Sequence, residues 1–133
     1  MPMSDYTVCT LDDVPDVMGG KYPGAMRFMG GALGAEQVAF THRQMPPGAG
    51  GKGSYGHSHK TQEEIYFVVS GTLTLKLGDE VIEAGPGTAV RMAPSTVRSV
   101  HNDSDEDVGL IMCSVRVEDV RADGNIHDDF WPE

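Results

Sequence analysis

A chain of 133 residues, 39% hydrophobic and 23% charged, suits one compact domain with a real core and leaves no room for two. Its 10 Lys and Arg stand against 20 Asp and Glu, a formal charge of −10 that repels a nucleic-acid backbone or an anionic membrane surface, so neither is expected as a partner. No apolar run approaches the roughly 20 residues that cross a bilayer. The opening MPMSDYTVCT has neither the basic stretch nor the apolar stretch of a leader, and a cytoplasmic location is expected.

With 17 Gly and 8 Pro and no collagen-like period, the composition predicts many short strands joined by tight turns. Residues 1–36 carry mixed signals: Tyr6 to Cys9 and Met26 to Met29 read as short strands around a turn-rich stretch. The stretch from Gly30 to Glu36 lacks the spacing of a dinucleotide fingerprint and reads as a turn. Gln37 to Met45 is strand-like, and the loop Pro46 to Gly53 stops it with residues that cannot continue a ladder. Ile65 to Val69 is apolar on both faces and reads as a strand buried twice. Thr72 to Leu77 alternates and reads as a half-exposed one. Gly78 and Asp79 then fit a two-residue hairpin turn.

Further strands are expected at Thr88 to Met92, Val97 to Asn102 and Val108 to Val117, giving about eight to ten strands in a β-sandwich or barrel and no convincing helix. The loop Asp103 to Gly109 spaces three aspartates as a calcium loop does. However, it has Val108 where the EF-hand needs Gly and Ser114 where it needs Glu, so it reads as a solvated hairpin loop. Residues from about 118 to 133 read as a tail that either docks Phe130 and Trp131 or frays. Cys9 and Cys113 lie far apart without CxxC spacing and read as reduced, buried thiols.

The stretch GHSHKTQEEIYFVVSG, Gly56 to Gly71, concentrates the chemistry. On an extended chain His57 and His59 point the same way, about 7 Å apart, close enough to grip one cation. If the chain reverses at Lys60 to Gln62 into an antiparallel neighbour, Glu64 faces the histidines across the ladder. Two imidazoles and a carboxylate suit Fe(II), Mn, Ni or Zn and leave positions open for water or substrate. The same spacing also suits a solvated His-rich turn.

The wider pattern resembles the cupin superfamily. Gly51, His57, His59, Glu64 and Gly71 match its first motif in full. Gly87, Ala93, Pro94, Ser95, Arg98 and Asn102 reproduce the length of its second motif without a gap. The resemblance spans about residues 37–114 and implies a single-domain, all-β cupin double-stranded β-helix, or jelly-roll barrel. In the family the second-motif histidine is normally a metal ligand; here it is Arg98. Arginine presents only donors and repels a cation, which weakens the case for a metal. His101 lies on the opposite strand face and substitutes only if a bulge shifts the register.

Three arrangements follow. A metal on His57, His59 and Glu64 has Arg98 beside it to bind an anionic substrate group; a metal-free pocket pairs Arg98 with Glu64 and binds a small molecule; or that pair merely fills the lumen. Tyr66 shares the Glu64 face and is a second candidate substrate contact. Ile65, Phe67 and Val69 face outward and need a cover, from the N-terminal strands or a second subunit; a homodimer is expected, as is common in cupins. The resemblance implies a metal-dependent oxygenase or isomerase acting on a small anionic metabolite, with a metal-free binding protein as the alternative, because one fold hosts many chemistries.

Overall fold

The structure, a computed structural model, describes residues 5–133. The first four residues of the segment expected to hold N-terminal strands lie outside them. Ten strands form two five-stranded sheets. One has the order β1 (Ala25–Phe28), β2 (Val38–Met45), β9 (Val108–Val115), β4 (Glu64–Ser70), β7 (Ala89–Met92). The other has the order β10 (Gly124–Trp131), β3 (Ser54–His59), β8 (Arg98–His101), β5 (Leu73–Leu77), β6 (Glu80–Ala84). All pairings are antiparallel. The expected all-β double-sheet architecture is what forms.

The core lies between the sheets, where alternate residues of each strand meet. Met45, Val68, Leu73, Leu75, Val108 and Leu110 are fully buried there. Glycine is required where the backbone approaches itself. At Gly71 φ is 75°, and a Cβ would fall 2.3 Å from the Asp107 carbonyl oxygen. The Gly78–Asp79 turn joins β5 to β6 with Gly78 at φ 58°, as its residues require.

Five expectations change. Tyr6 to Cys9 forms no strand. Two short helices, α1 (Met29–Leu33) and α2 (Val120–Asp123), form where none was expected. The stretch read as a turn at Gly30 is the body of α1, which ends on Gly34 in the left-handed conformation, a common helix stop. β4 is buried on one face only: Ile65, Phe67 and Val69 remain 45%, 39% and 47% exposed. In β5 both faces are covered over Leu73 to Leu75.

The residues read as a tail include β10, which pairs with β3 and adds a fifth strand to the second sheet. Its register shifts between His127 and Trp131, and Asp129 sits at φ 54°, a local bend. Beyond the bend the Lys76 ammonium lies 4.2 Å from the Phe130 ring centroid, and Trp131 stacks edge-on against His101. These contacts join the end of β10 to β5 and β8. No helix among the described residues is long and apolar enough to cross a membrane. Cys9 and Cys113 are both unpaired, and both are only partly buried, not buried as expected.

Candidate functional site

β3 delivers His57 and His59 to the space between the sheets from one strand face, two residues apart. Gly56, just before them, lets the chain run under the Phe130 ring, which a Cβ there would meet at 2.3 Å. Glu64 opens β4, and here the structure departs from the expected ladder. β3 and β4 belong to different sheets, so Glu64 meets the histidines across the lumen.

The turn that carries the chain over is organised by Asp123. Its carboxylate accepts from the Thr61 and Gln62 backbone N–H groups at 3.0 and 3.1 Å and from the Thr61 hydroxyl. The hydroxyl and amide donors outweigh the cost of burial and hold the Asp123 carboxyl below its usual range.

Glu64 Oε1 lies 3.2 Å from His59 Nε2 and 3.6 Å from His57 Nε2, and the three ligand atoms fall within 4.8 Å of one another. Two donor atoms each about 2.1 Å from a shared cation lie about 3.0 to 3.4 Å apart at octahedral or tetrahedral angles. The Glu64–His59 separation already falls in that range, and His57, the most exposed of the three, has to move closer to share the ion. His59 is buried, and neither of its ring nitrogens has a hydrogen-bond partner. Asp123 Oδ2 stands 3.3 Å behind Nδ1. The pair does not meet as a hydrogen bond here, but a carboxylate on that side is the one that, by accepting from Nδ1–H, would turn the Nε2 lone pair toward an ion. Burial, with the nearby Arg98 and His57, holds His59 below its usual pKa despite Glu64, which favours the neutral, ligating form. Its edge-on partner His57, with a ring centroid 5.1 Å away, is the more exposed of the two.

Arg98 sits directly across the ladder from His57, and its side chain has no exposed surface. Its Nη2 and Nε donate to Glu64 Oε1 at 2.7 and 3.2 Å. Its Nη1 donates to the carbonyls of Ala93, Pro94 and Thr96 at 3.3, 3.1 and 2.7 Å. In this arrangement the guanidinium is committed to its own strand end and to Glu64. Burial alone would push the Glu64 carboxyl up; His57 and Arg98 reverse that and bring it down to about 2.

Tyr66 is buried in the same lumen, and its hydroxyl donates to Glu64 Oε1 at 3.4 Å. Burial, reinforced by the Glu64 charge, raises its pKa, so it stays a neutral donor. The five residues picked out from the sequence therefore share one place.

His101 does not join them. It lies under Trp131 on the far face of β8, and its Nδ1 accepts from the Lys52 backbone N–H at 3.3 Å. The aspartate-rich loop is no metal cluster either. Fully buried Asn102 anchors it, donating to the Met45 and Glu106 carbonyls at 2.8 and 2.7 Å. Among the described residues, His57, His59 and Glu64 form the one group placed to hold a metal. Sequence reasoning missed Asp123, which lies 59 residues from Glu64 and whose role depends on the docking of β10.

A family model described as the cupin domain matches residues 41–114. A cupin protein from Bacteroides fragilis superposes with a TM-score of 0.67 at 24% identity, covering 89% of this chain and 90% of its own. A sugar phosphate isomerase of the cupin superfamily from Silicibacter pomeroyi superposes with a TM-score of 0.71 at 18% identity, covering 92% of each chain. An uncharacterised protein of Methanocaldococcus jannaschii is 29% identical over 58 residues, 44% of this chain and 46% of its own, so the match spans just under half of that relative.

Proposed function

Starting from the chain's membership of the cupin domain family, we propose that it is a metal-dependent enzyme, an isomerase or oxygenase acting on a small anionic metabolite. His57, His59 and Glu64 would hold a divalent transition ion, Fe, Mn, Ni or Zn. The observation that carries this reading is His59: a buried imidazole whose Nε2 has no hydrogen-bond partner, faces a carboxylate 3.2 Å away, and is braced from behind by another. Leaving such groups unsatisfied costs about 1–3 kcal/mol each, and a bound cation removes that cost at Nε2. When bound, the ion supplies a Lewis acid or an oxygen site. Tyr66 offers a neutral hydroxyl beside it, and Arg98 holds the Glu64 carboxylate in one orientation.

The Silicibacter pomeroyi neighbour carries the name sugar phosphate isomerase. The isomerase alternative agrees with that name, although a likeness at 18% identity supports the fold alone.

One observation favours a second reading. Glu64 already has a cationic partner in Arg98, at 2.7 Å, so a metal-free pocket that binds a small acid without catalysis is its natural rival. Elemental analysis of protein purified without a polyhistidine tag, before and after reconstitution with each of the four ions, separates the two. The enzyme reading expects close to one equivalent, lost in His59→Ala; less than about a tenth of an equivalent of every ion overturns it.

We further propose a homodimer formed through the outer face of the first sheet. Ile65, Phe67 and Val69 protrude there, the first two beside Cys113 and Ile111, their register partners on β9.

A further inference from the structure

The sequence assigned the anionic end of the ligand to Arg98, yet Arg98 has no exposed surface and its guanidinium is already engaged. A different arginine is free. On β2, His42 pairs with Ile111, and Ile111 pairs with exposed Phe67, which places His42 on the outer face. Arg43 alternates with it: it pairs with Leu110, Leu110 pairs with Val68, and both are buried in the core. Arg43 therefore points into the lumen. Its Nε is buried without a hydrogen-bond partner. The carboxylates that pair with arginine or lysine among the described residues are taken elsewhere: Glu63 by Arg91, Glu64 by Arg98 and Asp103 by Lys52.

Tyr66 lies near Arg43 on the lumen face, because Tyr66 pairs with Met112 and Met112 with Thr41, one two-residue step from Arg43; Tyr55, about half exposed, stands at the start of β3. Tyr55 precedes His57 by one two-residue step on β3, and Tyr66 follows Glu64 by one such step on β4. Each step is about 7 Å. Tyr66 thus makes the layer next to Glu64, and Arg43, level with Val68 through Leu110, stands one layer further.

We propose that Arg43 is the oxyanion receptor of the lumen, holding the carboxylate or phosphate of a small metabolite whose reacting end lies at His57, His59 and Glu64. A guanidinium with free donors grips either group through paired, charge-assisted hydrogen bonds. Through Leu110 and Val68, Arg43 is in register two strand steps, about 13 Å, beyond Glu64, and its long side chain takes up part of that span, so the substrate class is a small carboxylic acid or phosphate ester long enough to bridge the remainder. The proposal rests on reading the lumen as a ligand site. It does not require the metal.

The test uses malonate and inorganic phosphate as probes, on metal-free and on zinc-treated protein. The Nε–Hε resonance of Arg43, followed by nitrogen-15 NMR, is expected to shift saturably with at least one probe, and the tighter of the two identifies the head group. Arg43→Gln is expected to weaken that probe by at least about tenfold, with Arg43→Lys recovering part of the loss and zinc content unchanged in both. Absence of any shift in the parent, or unchanged binding in Arg43→Gln, overturns the proposal. Should Arg43→Gln fail to fold, the resonance of the parent protein decides alone. Probe binding without zinc uptake upholds Arg43 while the metalloenzyme reading falls; zinc uptake without a probe-induced shift does the reverse.

Discussion

At the scale of the residue, Arg98 decides the character of the site. It stands in register with His57, where the family pattern has its last histidine, and reaches Glu64 with two donors. Removing one member of a buried ion pair typically costs about 3–5 kcal/mol, so Arg98→His is expected to lower the melting temperature. The same substitution is expected to raise affinity for a divalent ion by about tenfold or more, measured by competition with a chelator, because a donor-only cation gives way to a ligand. Unchanged affinity would mean that position 98 does not face the ion. This residue was legible from motif spacing alone. Its engagement was not, because the Ala93, Pro94 and Thr96 carbonyls that occupy Nη1 are backbone groups, and side-chain identity says nothing about where they point.

At the scale of the element, the turn between β3 and β4 and the strand β10 work as one unit. Asp123, at the junction of α2 and β10, fastens Thr61 and Gln62 and stands behind His59. Asp123→Asn is therefore expected to weaken metal affinity by about 10- to 100-fold, since a neutral amide no longer orients the imidazole as a carboxylate does. Asp119→Asn is the control. Asp119 caps the same helix through the Ala122 N–H at 3.1 Å and makes no contact with His59. Equal losses in the two variants, by calorimetric titration, would reduce Asp123 to a helix-end residue. The strands of the motif region were readable because alternation and glycine placement are local signals. β10 was only half readable: a strand of polar and acidic residues on a sheet edge has no apolar alternation, and its evidence is a pairing with β3 more than sixty residues away. The expected histidine–glutamate ladder failed for a related reason, since spacing gives the length of a turn but not which sheet it enters.

At the scale of the whole molecule, the double-sheet fold was legible from composition and paired motif spacings, whereas the state of its outer surface was not. Phe67→Glu places a charge amid Ile65, Val69 and Ile111, and is expected to convert the proposed dimer to a monomer in sedimentation equilibrium with little change in lumen chemistry. A parent that sediments as a monomer at all accessible concentrations would sink the dimer. A last consequence follows from placing an unpartnered guanidinium inside a chain of net charge −10. With Arg43 as the receptor, an approaching anion would meet the repulsion of the whole chain before it met the guanidinium. Encounter, then, is slowed by repulsion while retention is governed by contact. Moderate ionic strength, by shortening the reach of the surface field to about 8 Å, hastens entry more than it loosens the grip within, the opposite of the usual behaviour of a site that collects its ligand by charge.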